Sequence, residues 1–407
     1  MTTHLAQAFR RLTGDPEPDN RADTRSHWAL GLFAGHLLTI VALAASNVLL
    51  ALAAIATPWR QTRHWLRRGA PLLLTIGLYL LCLGGAILAS YDPRTSLRAT
   101  SDLFNFLVPV VALVVVRTER HARLLIQALI LLGSLVAVQA LWQYALGANH
   151  LSQRPVGPFS HYMTLGGFLI LVDCLLLAWM VFGRGWRRWW SWPALAVIHL
   201  ALLTSYTRNA WVALAVILSL LAAVKAPRLL LAWIPAVVVL VILLPGSTVA
   251  RVSSIVDLGN RSNYDRLSML YAGAGMVRDK PIFGQGPRMA RERYPLYRHP
   301  TAPSKWVPHL HNSFLTLAAE RGLVSLIAML ALLWVPARRI LARLRAPETR
   351  AGPHLDLYMG ALLVLLATVI TGMFEDYWSD TEIQRLVLLA AALPFCLDPA
   401  ATGEIDS

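Results

Sequence analysis

Apolar stretches recur along the chain at about 28–44, 46–57, 70–90, 102–116, 121–146, 161–183, 191–205, 209–224, 228–245, 312–336, 354–374 and 381–397. A helix needs roughly 20 such residues to cross about 30 Å of hydrocarbon. The stretches lack the period-two alternation of barrel strands, so they predict helices, which satisfy their own backbone polar groups in lipid. The pattern therefore predicts an all-α polytopic membrane protein of about 12 transmembrane helices. The expected order is a tail over 1–27, nine spans over 28–245, a polar segment over 246–310, three spans over 311–397 and a tail over 398–407. Residues 28–57 are long for one span and short for two, unless one is tilted or re-entrant, and Ser46-Asn47 is the natural break. Eleven spans stay open beside twelve.

Composition agrees: 56% of the 407 residues are hydrophobic and 14% charged, too apolar for a soluble domain. The basic first 26 residues lack the apolar core and small-residue cleavage site of a signal peptide, so none is expected to be removed. Cys82, Cys174 and Cys396 all fall in apolar stretches and read as core or lipid-facing fillers.

Charge then gives direction. A net +15 could suggest nucleic acid, but most Lys and Arg fall in alternate short links, such as Arg60, Arg63, Arg67 and Arg68, or Arg338, Arg339, Arg343, Arg345 and Arg350. That is the positive-inside pattern, and it places the segment 246–310 on the outer side. Trp186, Trp189, Trp190 and Trp192 fit a headgroup-level anchor at an inner end. Against this pattern, 246–310 carries ten Lys and Arg and four Asp and Glu. A basic outer segment calls for an anionic ligand. Within it, Ser262-Asn263-Tyr264-Asp265 followed by Leu267, Leu270, Tyr271, Ala274 and Val277 predicts a capped amphipathic helix. Pro281-Ile282-Phe283-Gly284-Gln285-Gly286-Pro287 predicts its break.

Three positions carry candidate chemistry. Arg208 stands in the short polar link Thr204-Ser205-Tyr206-Thr207-Arg208-Asn209; an arginine beside hydrocarbon meets either an anion or lipid phosphate by snorkelling, and the run of hydroxyls favours the anion. His311, beside Asn312 where the outer segment re-enters the membrane, reads equally as a proton acceptor for a hydroxyl nucleophile or as a helix-start residue. His309 has nothing to distinguish it from a surface residue. Arg266, Lys280, Arg288, Arg291, Arg293 and Arg298 form a basic surface whose planar forks suit phosphate oxygens and a diphosphate leaving group. No Asp-x-Asp pair, His/Cys/Glu cluster or paired outer carboxylate marks a metal site or an acid/base dyad. Chemistry without a metal or cofactor is the expectation.

The series Ser205-Tyr206-Thr207-Arg208-Asn209-Ala210-Trp211, Arg266, Asp279-Lys280-Pro281-Ile282-Phe283-Gly284-Gln285-Gly286, His311-Asn312 and Gly322 resembles the O-antigen ligase and polymerase superfamily. Thr207 replaces the more frequent Ser, and Ser325 stands where Gly, Thr or Tyr is more usual. The resemblance implies a GT-C-like glycosyltransferase of the bacterial inner membrane, active on the periplasmic side in lipopolysaccharide biosynthesis. Such ligases move a polysaccharide from undecaprenyl pyrophosphate to a sugar hydroxyl of lipid A–core, without a metal and with inversion. By position, Arg208 and Arg266 would bind the pyrophosphate and His311 would activate or orient the acceptor. Arg288, Arg291, Lys280, His309 and Asn312 would join the binding surface. An O-antigen polymerase and a protein O-oligosaccharyltransferase share the scaffold and remain alternatives. A transporter for an anionic lipid is a further alternative, but the chain shows no repeated halves.

Overall fold

The computed structural model describes residues 21–59, 63–98, 101–150, 152–225 and 260–397, and among them it contains no strand. Thirteen helices of nine residues or more organise these residues. They are α1 (Arg21–Leu38), α2 (Leu43–Ala56), α3 (Ala70–Leu88), α4 (Leu107–Val115), α5 (Glu119–Ala145), α6 (Tyr162–Phe182), α7 (Ser191–Thr204), α8 (Arg208–Lys225), α9 (Arg261–Asp279), α10 (Met289–Tyr297), α11 (Ser313–Arg343), α12 (Leu355–Gly372) and α13 (Thr381–Cys396). Six of them, α3, α5, α6, α8, α11 and α12, are long and apolar enough to cross a membrane. The apolar helices α2 and α7, of 14 residues each, are shorter. The expected span at 228–245, the start of the polar segment at 246–259 and most of both tails lie outside the described residues.

Polar side chains set several helix starts. Thr118, His161 and Asn312 accept the backbone N–H of His121, Met163 and Leu315, capping α5, α6 and α11. Two sequence expectations are corrected. The expected break at Ser46-Asn47 falls instead at residues 39–42, and α1 and α2 pack together as a hairpin. Ser46 sits inside α2, where its hydroxyl bonds His36 Nδ1 at 2.7 Å. The amphipathic helix α9 is capped by Asn260 rather than at Ser262, because the Asn260 carboxamide accepts the Ser262 N–H at 3.1 Å.

At the centre stands α6, buried along nearly its whole length and packed most extensively on α12. A helix that is apolar on every side, apart from Thr164 near its start and the buried Asp173, suits that position. At one end of the bundle Arg123, on α5, pairs with Asp356, on α12, through Nη2 and Oδ1 at 3.0 Å. The other end gathers the starts of α6, α8, α11 and α13 with α9 and α10 above them.

One break in a helix fixes that roof. At Gly322, φ is +79° and ψ is 169°, so α11 is kinked and the carbonyls before the kink lose their helical partners. The turn after α9 replaces them: Gln285 N–H donates to Ala319 O and Gly286 N–H to Glu320 O, both at 2.8 Å, while Leu323 N–H donates to Pro281 O at 2.8 Å. A Cβ on Gly322 would lie 1.9 Å from Ile282 O, and one on Gly284 would lie 2.5 Å from the Glu320 carbonyl carbon. Both positions require glycine. The Pro281–Gly286 turn is therefore the plug that joins the polar segment to the broken span.

Candidate active site

The link after α7 brings Arg208 to the start of α8, and α9 carries Arg266 across it. Two cavities open between these helices and the start of α11. The first, about 410 Å³, is polar and is lined by Ser160, His161, Thr164, Asp265, His309 and Glu375, with Arg266 and His311 in its wall. The second, about 400 Å³, is mostly apolar and is lined by Val212, Leu267, Leu270, Leu310, Met373 and Phe374, with Arg208, Asn312, Arg266 and His311. Arg266 and His311 face both. Residues 45 and 58 positions distant from Arg266 thus meet at one partition.

His311 does not act with Asn312, as its sequence position suggested. Asn312 is occupied as the cap of α11 and donates through Nδ2 to Met373 O at 2.9 Å. The partner of His311 is Glu375, whose two carboxylate oxygens stand 3.0 and 2.8 Å from Nδ1. That bond places the imidazole proton on Nδ1 and turns the Nε2 lone pair away from Glu375, the arrangement of an oriented general base. His311 adopts a left-handed backbone at φ +48°, costly for a residue with a side chain and sustained by the packing around it. Buried Leu310, which precedes it, anchors that turn in the small core beneath α9.

The acidic loop after α12 is therefore part of the site. Burial pushes the Glu375 carboxyl up, but the bond and charge of His311, then His309 and the Asp376 N–H, hold it below the usual range. His309 stands 3.4 Å from Glu375 Oε1 through Nε2. Burial lowers its pKa to about 4 against the pull of Glu375, so it is neutral near pH 7. Burial, and then the neighbouring Glu320, push the Asp376 carboxyl well above its ordinary range. Tyr377 ties the loop down: its hydroxyl accepts from Asn209 Nδ2 and donates to Met163 O, both at 2.9 Å. Gly167 leaves room for that ring, since a Cβ there would lie 2.7 Å from Tyr377 Cε1.

Arg208 reaches Ser262 Oγ with Nη2 at 3.4 Å, which links α8 to α9. Other sequence candidates stand elsewhere. Lys280 donates to Ala89 O at 2.9 Å and lies 3.7 Å from the centre of the Tyr91 ring, while Arg288 and Arg291 are exposed. None of the three lines either cavity.

The expectation that no His/Glu cluster exists is corrected: His309, His311 and Glu375 place donor atoms within 4.8 Å of one another. The expectation of no grouped outer carboxylates is corrected too, since Asp265, Glu375, Asp376 and Asp380 all line the polar cavity. Asp265 accepts from Ser304, Asp380 from Thr164 and Asp376 from Ser379. The signal available in sequence was the concentration of acids in Glu375-Asp376-Tyr377-Trp378-Ser379-Asp380, in a chain with only 22 Asp and Glu.

No curated protein matches the chain. Residues 193–330, which run from α7 past the Gly322 break and hold Arg208, Arg266 and His311, match the family model described as O-antigen ligase. Over that segment, about a third of the chain, the sequence is similar to the O-antigen ligase family.

Proposed function

We propose that this protein is an O-antigen ligase that moves polysaccharide from undecaprenyl pyrophosphate to a sugar hydroxyl of lipid A–core, on the periplasmic side of the bacterial inner membrane. The observation that carries the reading is the partition of Arg266 and His311 between a polar and an apolar cavity. A lipid-linked sugar diphosphate has the same division: an apolar chain, an anion and a polyhydroxylated body. The chain occupies the apolar cavity, the diphosphate meets Arg208 and Arg266, and the acceptor hydroxyl enters the polar cavity beside His311.

The acceptor oxygen attacks the anomeric carbon as the bond to the diphosphate breaks. Its proton passes to His311 Nε2, and the electron pair leaves with undecaprenyl diphosphate. Glu375 keeps the imidazole oriented and stabilises the imidazolium that forms. Two guanidinium groups facing the developing phosphate charge are the electrostatic part of catalysis, where one well-aimed donor is worth about 10²–10³ in rate. A single displacement inverts the anomeric centre. Both Glu375 oxygens are engaged by His311, which favours this course over a covalent glycosyl-enzyme.

The test is transfer in liposomes holding purified lipid-linked polysaccharide and lipid A–core. Product on lipid A–core, lost in Arg266→Ala and insensitive to EDTA, supports the reading. Elongation of the lipid-linked chain in place of transfer would make the protein a polymerase.

A further inference from the structure

We propose that His309, His311 and Glu375 form a binding site for one divalent transition-metal ion of the zinc class, and that the bound ion blocks transfer. The binding claim is independent of the substrate assignment; only the block rests on the proposed transfer.

Zinc at about 2.0–2.1 Å from nitrogen and oxygen ligands in a tetrahedron sets neighbouring donors about 3.3 Å apart. Here His309 Nε2 lies 3.4 Å from Glu375 Oε1, and His311 Nδ1 lies 2.8 Å from Oε2. All the donors fall within 4.8 Å of one another. The two distances to Glu375 need changes of no more than a few tenths of an ångström to reach that spacing. The imidazole rings are 4.4 Å apart between centres, carried two positions apart on one short segment whose left-handed residue is His311. Glu375 comes from a loop fixed independently through Tyr377. Two imidazoles and one carboxylate select zinc, copper or nickel over magnesium or calcium, which favour all-oxygen shells. The fourth position opens on the polar cavity, where water or an incoming hydroxyl completes the shell.

Binding has a definite chemical cost. A metal on Nδ1 of His311 requires the ring proton on Nε2, the nitrogen that must take the acceptor's proton. The ion also replaces the His311–Glu375 bond that orients the base. At His309 the metal takes Nε2 and moves the proton to Nδ1, so the 3.3 Å contact from His311 N–H to Nδ1 is lost. Metal binding and transfer are thus mutually exclusive uses of the same atoms.

The experiment uses the full chain without a histidine tag, in nanodiscs, stripped with chelator and titrated with Zn²⁺ or Co²⁺. One equivalent of zinc retained after gel filtration, and intense visible absorption of four-coordinate Co²⁺ displaced by Zn²⁺, are expected in the unaltered protein. Stoichiometry falls severalfold in His309→Ala and Glu375→Gln. Saturating zinc lowers transfer at least tenfold, and EDTA restores it. Retention well below one equivalent, six-coordinate cobalt, or binding unchanged in both variants overturns the site. Stoichiometric binding with undiminished or increased transfer overturns the block. If no transfer is detected even without metal, the substrate reading fails while the cobalt spectrum still decides the site.

Discussion

Arg208 and Arg385 are both buried arginines at the start of apolar helices, yet their surroundings are opposite. Arg385, 1% exposed, is enclosed by neutral oxygens: Nε donates to Asn105 Oδ1 at 2.7 Å, Nη1 to Ser46 Oγ at 2.9 Å and Nη2 to Asn47 Oδ1. It fastens α13 to α2 and to the short helical turn before α4. Arg208 instead lines a cavity and shares it with Arg266. An arginine within an apolar chain is expensive wherever it stands. Its role is read from whether its fork is enclosed by protein acceptors or also borders a cavity that an anion can fill.

The sharpest way to break this comparison is to remove each guanidinium and follow two readouts. Arg208→Ala and Arg266→Ala are expected to lower transfer at least about 10²-fold, the value of an aimed cationic donor in a water-poor site. Their thermal unfolding in detergent should stay near that of the parent. Arg385→Met should do the reverse. It strands the Asn105 and Asn47 acceptors and costs about 3 kcal/mol of stability, while transfer per folded molecule is retained. A thermally intact Arg385→Met, or an Arg208→Ala that unfolds early, would erase the distinction.

The two arginines also show what was legible in the sequence. Arg208 and His311 stood out because each is a polar group set at an apolar boundary, and Arg266 because it belongs to the basic surface and to the motif series; the structure brings the three to adjoining cavities. Most helix limits followed from the same contrast: apolar runs at 161–183 and 354–374 became α6 and α12 with ends moved by one or two residues. Glu375 was not readable as the partner of His311, because 64 positions separate them and acids at an outer loop fit the topology without further purpose. The binding of the Pro281–Gly286 turn into the α11 break was equally hidden. A helix that breaks at Gly322 leaves no local mark beyond one glycine, and its replacement hydrogen bonds join residues 34 to 42 positions apart.

Glu375→Gln probes the site between those extremes. The amide keeps the size and can still accept from Nδ1, but it loses the charge that stabilises the imidazolium. A fall of about tenfold in kcat, with little change in the concentration of donor needed for half-saturation, is expected for a group that acts through His311. A weaker donor affinity with unchanged kcat would place Glu375 on the substrate instead.

The smallest effect should come from the exposed arginines of the roof. Arg291 lies on α10, whose opposite face, Ala290 and Tyr294, is packed into the small core with Met269 and Met276 of α9. Its charge is exposed to salt-containing water, where the field of one guanidinium is largely screened beyond about 10 Å. Arg291→Ala is therefore expected to change transfer less than about twofold at physiological ionic strength, with any loss confined to low salt, where a basic roof speeds the approach of an anionic substrate. Measured across a salt series, a salt-independent loss as large as that of Arg208→Ala would move the diphosphate out of the partition and onto the roof. A loss that vanishes with salt would leave Arg291 as a guide and Arg208 with Arg266 as the clamp, which is the division that the two buried environments imply.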